Sequence, residues 1–187
     1  MIGLLKNIDT KLFLFFNSNH TPFMDSVMRF ASDRFSWIPL YAVILFFAWR
    51  KVQKKIWIVL VAVALLITLS DQISVHLFKE RFKRYRPCHN LALQGKVQLI
   101  DGKCGGQYGF VSSHAANTFA LTTFLILFFR NKYFFFAMYI WAAFVSYSRV
   151  YSGVHYPFDV LAGMFLGILI GIIGYKIYLH YYKKYAY

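Results

Sequence analysis

Three polar clusters, each at the end of an apolar stretch, contain most of the side chains in this sequence that could do chemistry. They are Lys79 to Pro87, then Ser112-Ser113-His114, and then Ser148-Arg149 with His155 and Asp159. Together they supply histidines, a carboxylate and several cations. Groups of these types can break a phosphate ester by way of a phosphorylated histidine.

The basic and hydroxyl side chains of the clusters are suited to hold a phosphate group. Cleavage needs cations around the equatorial oxygens, and arginine serves well because its fork binds two oxygens at once. Serine hydroxyls and backbone N–H groups at a helix N-terminus also bind anions. The predicted phosphate ligands are Lys79, Arg86, Ser112, Ser113 and Arg149.

The histidines are suited to the covalent and proton-transfer steps. His155 and Asp159 are four residues apart, and Pro157 between them favours the first turn of a helix. This spacing puts the carboxylate on the same helix face as the imidazole, where it can accept the Nδ1 proton and leave Nε2 free to attack. His114, from another helix, can protonate the leaving oxygen and later activate water.

Each cluster alone has a plainer interpretation. A basic run beside an apolar stretch is usually a snorkelling anchor, and an interfacial histidine is usually a polar cap. His155 and Asp159 alone are also compatible with a structural hydrogen bond or half a metal site, but no third ligand lies at a defined spacing. The conjunction of the three clusters favours phosphate chemistry, and we expect no metal or other cofactor.

The composition indicates an integral membrane protein of 187 residues. It is 59% hydrophobic and 15% charged, whereas soluble domains have about 25% charged residues. The net charge of +14 favours anionic lipid as partner. Nucleic acid is disfavoured because the basic residues cap apolar runs instead of forming a stripe on a soluble face.

The apolar pattern predicts an all-α, polytopic membrane helix bundle that forms a single domain over residues 1–187. Residues 1–34 read as an interfacial N-terminal segment, in which residues 2–17 form an amphipathic helix or, less favoured, a sixth span. Asp9 interrupts the first apolar run, so we expect no cleavable signal peptide. Five spans are predicted at about 37–49, 56–78, 113–129, 134–147 and 157–178.

Five crossings put the three clusters on one side of the membrane, with residues 79–112 as an extracytoplasmic loop. Lys and Arg are divided too evenly between the faces to fix the orientation. Cys88 and Cys104 both lie in this loop. A disulfide between them would stabilise it by about 3 kcal/mol, while free thiols or a metal pair are the alternatives. The disulfide is favoured, and it indicates that the clusters lie at the outer face of the membrane.

Two more ionisable residues, Asp71 and His76, lie toward the outer end of the second predicted span. Such groups inside a span are often functional. The alternative, which we favour for both, is a hydrogen bond between helices.

The full pattern resembles the type 2 phosphatidic acid phosphatase family of membrane lipid phosphatases, whose site is shared with vanadium haloperoxidases and bacterial acid phosphatases. The resemblance covers about residues 56–180. The first family motif, Lys-x6-Arg-Pro, is met by Lys79 and Arg86-Pro87. The third is met by Ser148-Arg149, His155 and Asp159, while the middle motif, Pro-Ser-Gly-His, is here Val111-Ser112-Ser113-His114.

The resemblance implies a metal-independent phosphatase with His155 as nucleophile, Asp159 as its orienting partner and His114 as general acid. Ser113, where the family has glycine, is expected to add a hydrogen bond instead of a clash. Family analogy favours undecaprenyl diphosphate as substrate. The alternatives are a lipid A 1- or 4′-phosphatase, a phosphatidylglycerol phosphate or phosphatidic acid phosphatase, and, from other classes, a lipid phosphotransferase or a non-catalytic anionic-lipid binder.

Overall fold

The structure is a computed structural model that describes residues 2–184. The two ends of the predicted domain, Met1 and residues 185–187, lie outside the described residues. The helices are α1 (Ile2–Asn17), α2 (Pro22–Ser32), α3 (Ile38–Val52), α4 (Ile56–Gln72), α5 (Glu80–Phe82), α6 (Ser113–Phe129), α7 (Lys132–Tyr151) and α8 (Pro157–Lys184). A π-helical segment, Ile73–Lys79, joins α4 to α5. Within residues 2–184 the only β-type pairing is an isolated bridge between Tyr85 and Tyr108, so the predicted all-α class is confirmed.

Helices occupy all five positions predicted for spans. Two helical runs, Phe35–Phe82 and Pro157–Lys184, are long and apolar enough to cross a membrane, and Ser113–Phe129 is a shorter apolar helix. Within the first run, Gln53 has φ 46 and ends α3 before α4 begins. The two long runs are consistent with membrane insertion, while the predicted number of five to six crossings stays a prediction.

The N-terminal helix α1 packs against α7 and α8, while its interfacial, amphipathic character stays a prediction. It buries Asp9, Phe13 and Asn17, which repeat every four residues along one face. The Asn17 amide donates to the carbonyl oxygens of Gln98 (2.9 Å) and Tyr151 (2.7 Å). These contacts fasten α1 to the end of α7, close to the third polar cluster.

The most extensive helix pair in the described chain is α6 with α8. Gly163, Gly167 and Gly171 of α8 face the backbone of α6, and a Cβ at Gly167 would lie 2.3 Å from the Ala116 carbonyl oxygen. Small residues at this spacing let helix backbones approach closely. The N–H of Ser112 also donates to the Asp159 carbonyl oxygen over 3.0 Å, so the first turns of α6 and α8 lie side by side.

The loop from residue 83 to 112 covers these two helix starts. Cys88 and Cys104 form the predicted disulfide, with a Cα–Cα distance of 6.0 Å. The bond excludes the free-thiol and metal-pair alternatives, because both sulfurs are joined to each other.

The preference for interhelical hydrogen bonds is wrong for both Asp71 and His76. The ring nitrogens of His76 contact Gln72 (3.0 Å) and Glu80 (3.1 Å) of the same helical run. A spacing of four residues makes these intrahelical contacts available without any neighbouring helix. Asp71 has no hydrogen bond or ion pair within the described chain and lines a groove instead.

Candidate active site

His155 and Asp159 lie together at the start of α8, and both are almost completely buried (2% and 0% exposed). Asp159 Oδ2 lies 3.6 Å from His155 Nδ1, which is longer than a hydrogen bond. Nδ1 has no other hydrogen-bond partner within residues 2–184. The carboxylate is therefore placed toward the imidazole as predicted, at a distance that a small closure would convert into a bond.

Gly109 lets the loop pass directly over this pair. A Cβ at Gly109 would lie 3.0 Å from Asp159 Oδ2 and 3.4 Å from His155 Nδ1. A side chain here would therefore press on both groups, and the loop excludes water from the pair by backbone alone.

Asp159 has two further partners that hold its carboxylate. Oδ2 accepts the N–H of Tyr156 over 3.0 Å, and Oδ1 accepts Nη1–H of Arg84 over 2.7 Å. The second nitrogen of Arg84, Nη2, donates to Asp9 Oδ2 over 2.6 Å. Asp9 Oδ1 in turn accepts the N–H of Phe158 over 2.9 Å.

Arg84 and Asp9 are residues that sequence reasoning missed. In the sequence, Arg84 is one of several cations in a basic run, and Asp9 is one of several charges in a predicted interfacial helix. No motif distinguishes either residue from its neighbours. The signal that could have found Asp9 is its spacing of four residues from Phe13 and of eight from Asn17, which places the three on one helix face, the face that is buried. Burial raises the pKa of Asp9, although its hydrogen bonds to Arg84 and Phe158 oppose this.

Lys79 and Ser113 form the second part of the site. Lys79 Nζ donates to Ser113 Oγ over 2.7 Å, so the serine at the glycine position adds a hydrogen bond instead of a clash. Ser112 is fully buried, and its hydroxyl caps α6 by accepting the Ala115 N–H over 3.5 Å. Its side chain is thus occupied by the cap, which fixes the first turn of α6.

The disulfide loop holds Arg86. Its Nε donates to the Tyr108 carbonyl oxygen (3.3 Å), and its Nη1 donates to that of Cys104 (3.0 Å). Within the described residues these bonds leave Nη2 available for a phosphate oxygen. Burial lowers the pKa of Arg86 below its usual value, and Asp159 opposes this shift.

Arg149 lies in the last turn of α7, and its backbone carbonyl accepts the N–H groups of Val154 and His155 (both 3.2 Å). Its Nε is buried and lacks a partner within the part of the chain that the structure describes. A buried, unpartnered guanidinium nitrogen next to His155 is suited to bind a phosphate oxygen.

The electrostatic surroundings keep His155 neutral. Burial, and then the charges of Arg86, Arg149 and Lys79, hold the pKa of His155 well below 6.5. A neutral imidazole has a free nitrogen lone pair, which any nucleophile needs. Cations that would bind a phosphate here therefore also keep His155 in a form that could act as a nucleophile.

His114 completes the set from the first turn of α6. It lies near enough that the charges of Arg149, His155, Lys79 and Arg86 act on it. With Ser113 it lines the end of a groove of about 870 Å³. The structure thus brings the predicted catalytic and phosphate-binding residues to one place, where two histidines, a carboxylate and several cations lie beside the groove.

The only His, Cys, Asp or Glu cluster with metal-ligand spacing within residues 2–184 is Cys88, His89 and Cys104. Its two sulfurs form the disulfide and are not available as thiolate ligands. The donors around the candidate site are cations, which suit an anion and not a metal ion.

The sequence over residues 55–183 matches the PAP2 superfamily. The chain belongs to the PAP2 superfamily. It is 39% identical over 169 residues to the lipid A 4′-phosphatase of Bacteroides thetaiotaomicron, covering 89% of this chain and 75% of the relative. It is 34% identical to the lipid A 4′-phosphatase of Porphyromonas gingivalis (92% and 74%) and 32% identical to the undecaprenyl-diphosphatase of Sulfolobus acidocaldarius (95% and 82%).

Solved structures share the fold of this PAP2 protein. A transmembrane PAP2-type phosphatidylglycerolphosphate phosphatase from Bacillus subtilis superposes with a TM-score of 0.74 at 21% identity, covering 93% of this chain and 86% of the other. LpxE from Aquifex aeolicus superposes with a TM-score of 0.64 at 24% identity, covering 89% and 94%. The family predicted from the sequence motifs is confirmed, and the chain is a membrane PAP2 phosphatase that hydrolyses lipid phosphate.

Proposed function

We propose that this PAP2 protein removes the 4′-phosphate of lipid A. The observation that carries the substrate assignment is the 39% identity to the Bacteroides lipid A 4′-phosphatase over 89% of this chain, to which the Porphyromonas relative of the same name adds support. The preference for undecaprenyl diphosphate drawn from the sequence has no comparable support. The lipid A alternative takes its place.

In the first chemical step, the lone pair of His155 Nε2 attacks phosphorus in line with the leaving oxygen. The N–P bond forms as the P–O bond to the sugar breaks, and His114 donates a proton to the leaving oxygen. This proton is held on His114 only while phosphate is bound, because the phosphate charge offsets the surrounding cations. In the second step, neutral His114 takes a proton from water and the water oxygen attacks phosphorus. The N–P bond breaks, and inorganic phosphate leaves with both histidines in their starting states.

Asp159 orients His155 and stabilises the imidazolium that forms when Nε2 is phosphorylated. The present separation of 3.6 Å between Nδ1 and Oδ2 shortens as positive charge develops on the imidazole, because that charge attracts the carboxylate, which Arg84 already holds beside it. A preorganised partner of this kind reduces reorganisation during the reaction.

The phosphate oxygens bind between cations on three different segments. Lys79 ends the long α4 run, Arg86 lies in the disulfide loop, and Arg149 ends α7. Ser113 holds Lys79 in place, and the first turn of α6, capped by Ser112, supplies backbone N–H groups. Charge spread over the equatorial oxygens of the transition state is thereby neutralised from several directions.

The site would face the periplasm from a bacterial inner membrane. With five crossings, at α3, α4, α6, α7 and α8, all three clusters lie at the same face. The disulfide supports an oxidising compartment on that side, which is where a lipid phosphate in the outer leaflet would be accessible.

A second candidate substrate is undecaprenyl diphosphate. The Sulfolobus relative with that activity in its name is 32% identical over 184 residues, 95% of this chain. The site described above would bind the terminal phosphate of a diphosphate with the same cations. Only the groups beyond the phosphate distinguish the two substrates.

The test is phosphate release from purified lipids in detergent with EDTA present. The panel holds lipid A, undecaprenyl diphosphate, phosphatidylglycerol phosphate and phosphatidic acid, and His155→Ala is the matched control. We expect release of the 4′-phosphate of lipid A by the native protein alone. Release from undecaprenyl diphosphate but not from lipid A would overturn the assignment in favour of the second candidate.

Two further outcomes address the other classes of function. Labelled phosphate that passes to a second lipid instead of water would identify a phosphotransferase. Lipid binding without any turnover would identify a non-catalytic binder, for which His155→Ala would change nothing.

A further inference from the structure

A groove of about 870 Å³ leads away from the phosphate site into the helix bundle. It begins at Ser113 and His114 and runs between α3, α4, α6 and α7. Most of its wall is apolar, including Tyr41, Ile44, Val59, Val63 and Leu121. Its position and lining make it the path along which the chains of a lipid substrate would lie.

Two buried polar atoms in residues that line this groove lack a hydrogen-bond partner within residues 2–184. One is the side-chain oxygen of Asn117, an acceptor, and the other is Nε1–H of Trp141, a donor. Trp141 is almost fully buried, with an exposed fraction of 8%. An unsatisfied buried polar group destabilises the folded protein, and inside a membrane no water is available to satisfy it.

Asp71 is a further polar residue of the groove, whose lining also includes the charged residues Asp33 and Arg34. It lies near the end of α4, and its charge acts on Lys79 in the phosphate site. The structure gives it no hydrogen bond or ion pair among residues 2–184. A carboxylate beside a cationic phosphate site repels a second phosphate group and attracts hydrogen-bond donors such as hydroxyl and amide N–H groups.

Along their helices, Asn117 lies close to the phosphate site and Trp141 lies farther away. Asn117 follows His114 by three residues, about 4.5 Å along the axis of α6. Trp141 precedes Arg149 by eight residues, about 12 Å along α7. Both atoms are covered in this structure, so a ligand reaches them only when the Asn117 amide and the Trp141 ring turn toward the groove. Such a ligand must carry a donor next to its phosphate and an acceptor farther down its chains.

We propose that Asp71, Asn117 and Trp141 form a subsite that recognises hydrogen-bonding groups of an acylated amino-sugar phosphate. Asp71 and Asn117 accept from hydroxyl or amide N–H groups near the phosphate, and Trp141 donates to an amide or ester carbonyl. A polyprenyl diphosphate has hydrocarbon next to its diphosphate and leaves all three groups unpaired. The inference rests on the proposed lipid A activity and names the residues that select this substrate class.

The test uses Asn117→Leu and Trp141→Phe, which keep approximate shape and remove the polar atom. The substrates are lipid A, undecaprenyl diphosphate and p-nitrophenyl phosphate, which has neither sugar nor chain. We expect kcat/KM for lipid A to fall about 10-fold or more in each variant, because a site built for polar groups loses its discrimination. Hydrolysis of p-nitrophenyl phosphate should stay unchanged, and that of undecaprenyl diphosphate unchanged or faster.

Thr118→Val is the matched control. Thr118 lies in the same groove, but its hydroxyl already donates to the His114 carbonyl oxygen within its own helix over 2.7 Å. Removal of this hydroxyl should leave the ratio of the lipid A and undecaprenyl diphosphate activities unchanged.

A binding measurement separates recognition from turnover. In the His155→Ala background, Asn117→Leu should weaken lipid A binding about as much as it lowers kcat/KM. Equal losses on all three substrates, or no loss on lipid A, would overturn the subsite. Failure of the proposed function is distinguishable, because it appears in the native protein as an absence of lipid A hydrolysis, and it would overturn the subsite as well.

Discussion

Arg84 and Asp159 form an ion pair at the centre of the site, in which Nη1–H donates to Oδ1 over 2.7 Å. The other end of the same guanidinium binds Asp9 of α1 over 2.6 Å. The arginine therefore lies between two buried carboxylates, stacked on the Tyr156 ring at 4.1 Å. The N-terminal helix, which lies outside the matched PAP2 region of residues 55–183, is thereby joined to Asp159, the proposed partner of His155.

Removal of this arginine should impair catalysis without removing a phosphate ligand. In Arg84→Gln, Asp159 loses its ion pair, and its carboxylate is no longer held against His155. We expect kcat to fall about 10- to 100-fold, as for other partners that orient reacting groups, while KM changes little. Asp9→Asn should act in the same direction but less, because an amide oxygen still accepts from Arg84.

Arg81→Gln is the control for lost charge, because Arg81 is an exposed cation of the same basic run. Steady-state kinetics on lipid A, with thermal unfolding of each variant, would check the prediction. A rise in KM at constant kcat would contradict the positioning role and would make Arg84 a substrate ligand instead.

The contrast between Arg84 and Arg86 indicates what could be predicted from the sequence. The helices and the His155–Asp159 pair follow from local patterns: apolar length, a spacing of four residues and a proline at a helix start. The partner of each cation in the basic run cannot be predicted from such local patterns, because it depends on which residues the folded chain brings close. The link from Asp9 to Phe158 spans 149 residues, and no local pattern encodes it.

Asp71 and His76 are a second case in which the contacts of ionisable residues could not be predicted from the sequence. Both are ionisable residues near the end of a predicted span, and the sequence predicts a hydrogen bond between helices for each. The structure separates them, because His76 finds partners one turn away on either side whereas Asp71 faces the groove. The rotation of a helix relative to its neighbours decides this, and helices such as α4, apolar on nearly every side, give no sequence signal of that rotation.

The Cys88–Cys104 disulfide should affect substrate binding as well as stability. Replacement of both cysteines by serine should lower the free energy of unfolding by about 3 kcal/mol, the value for a loop of this length. KM should rise, because Arg86 is held by the Cys104 carbonyl oxygen in the closed loop, while kcat changes less. Reductant should reproduce the effect in the native protein and do nothing to the double variant. Lower stability with an unchanged KM would show that Arg86 is positioned independently of the disulfide.

The protonation of His155 gives a pH prediction. Burial and the charges of Arg86, Arg149 and Lys79 hold its pKa well below 6.5, so His155 stays neutral as pH falls through the range in which free histidine is protonated. The unfolded chain does bind that proton, so this residue makes the protein less stable as pH falls below about 6.5. In Arg86→Gln, the loss of a nearby cation should raise the pKa of His155.

Nuclear magnetic resonance of histidine labelled with nitrogen-15, in detergent, would measure this, with His155→Gln to assign the signal. We expect the His155 signal to keep the shifts of the neutral ring at pH 6 and to begin titrating at higher pH in Arg86→Gln than in the native protein. The Arg81→Gln variant should leave the signal unchanged. Titration of His155 near 6.5 in the native protein would contradict the assigned environment.

The contact between α6 and α8 should depend on Gly167. A Cβ there would lie 2.3 Å from the Ala116 carbonyl oxygen and 2.9 Å from the Ala120 nitrogen, both backbone atoms that cannot move alone. Gly167→Ala should therefore push α6 away, displace Ser113 and His114 from the site, and lower both the unfolding temperature and kcat. Helix propensity favours alanine by about 1 kcal/mol, so any loss must come from the steric conflict.

Gly174→Ala in the same helix is the matched control. The nearest atom to a Cβ at Gly174 is Leu66 Cδ1 at 2.4 Å, the end of a side chain that can rotate away. This variant should keep its activity and unfold at about the native temperature or higher, because the propensity gain is not offset by a backbone clash. Thermal unfolding and lipid A kinetics of the two variants side by side would decide. Equal tolerance of alanine at both positions would mean that α6 and α8 are not held at the close distance on which the position of His114 depends.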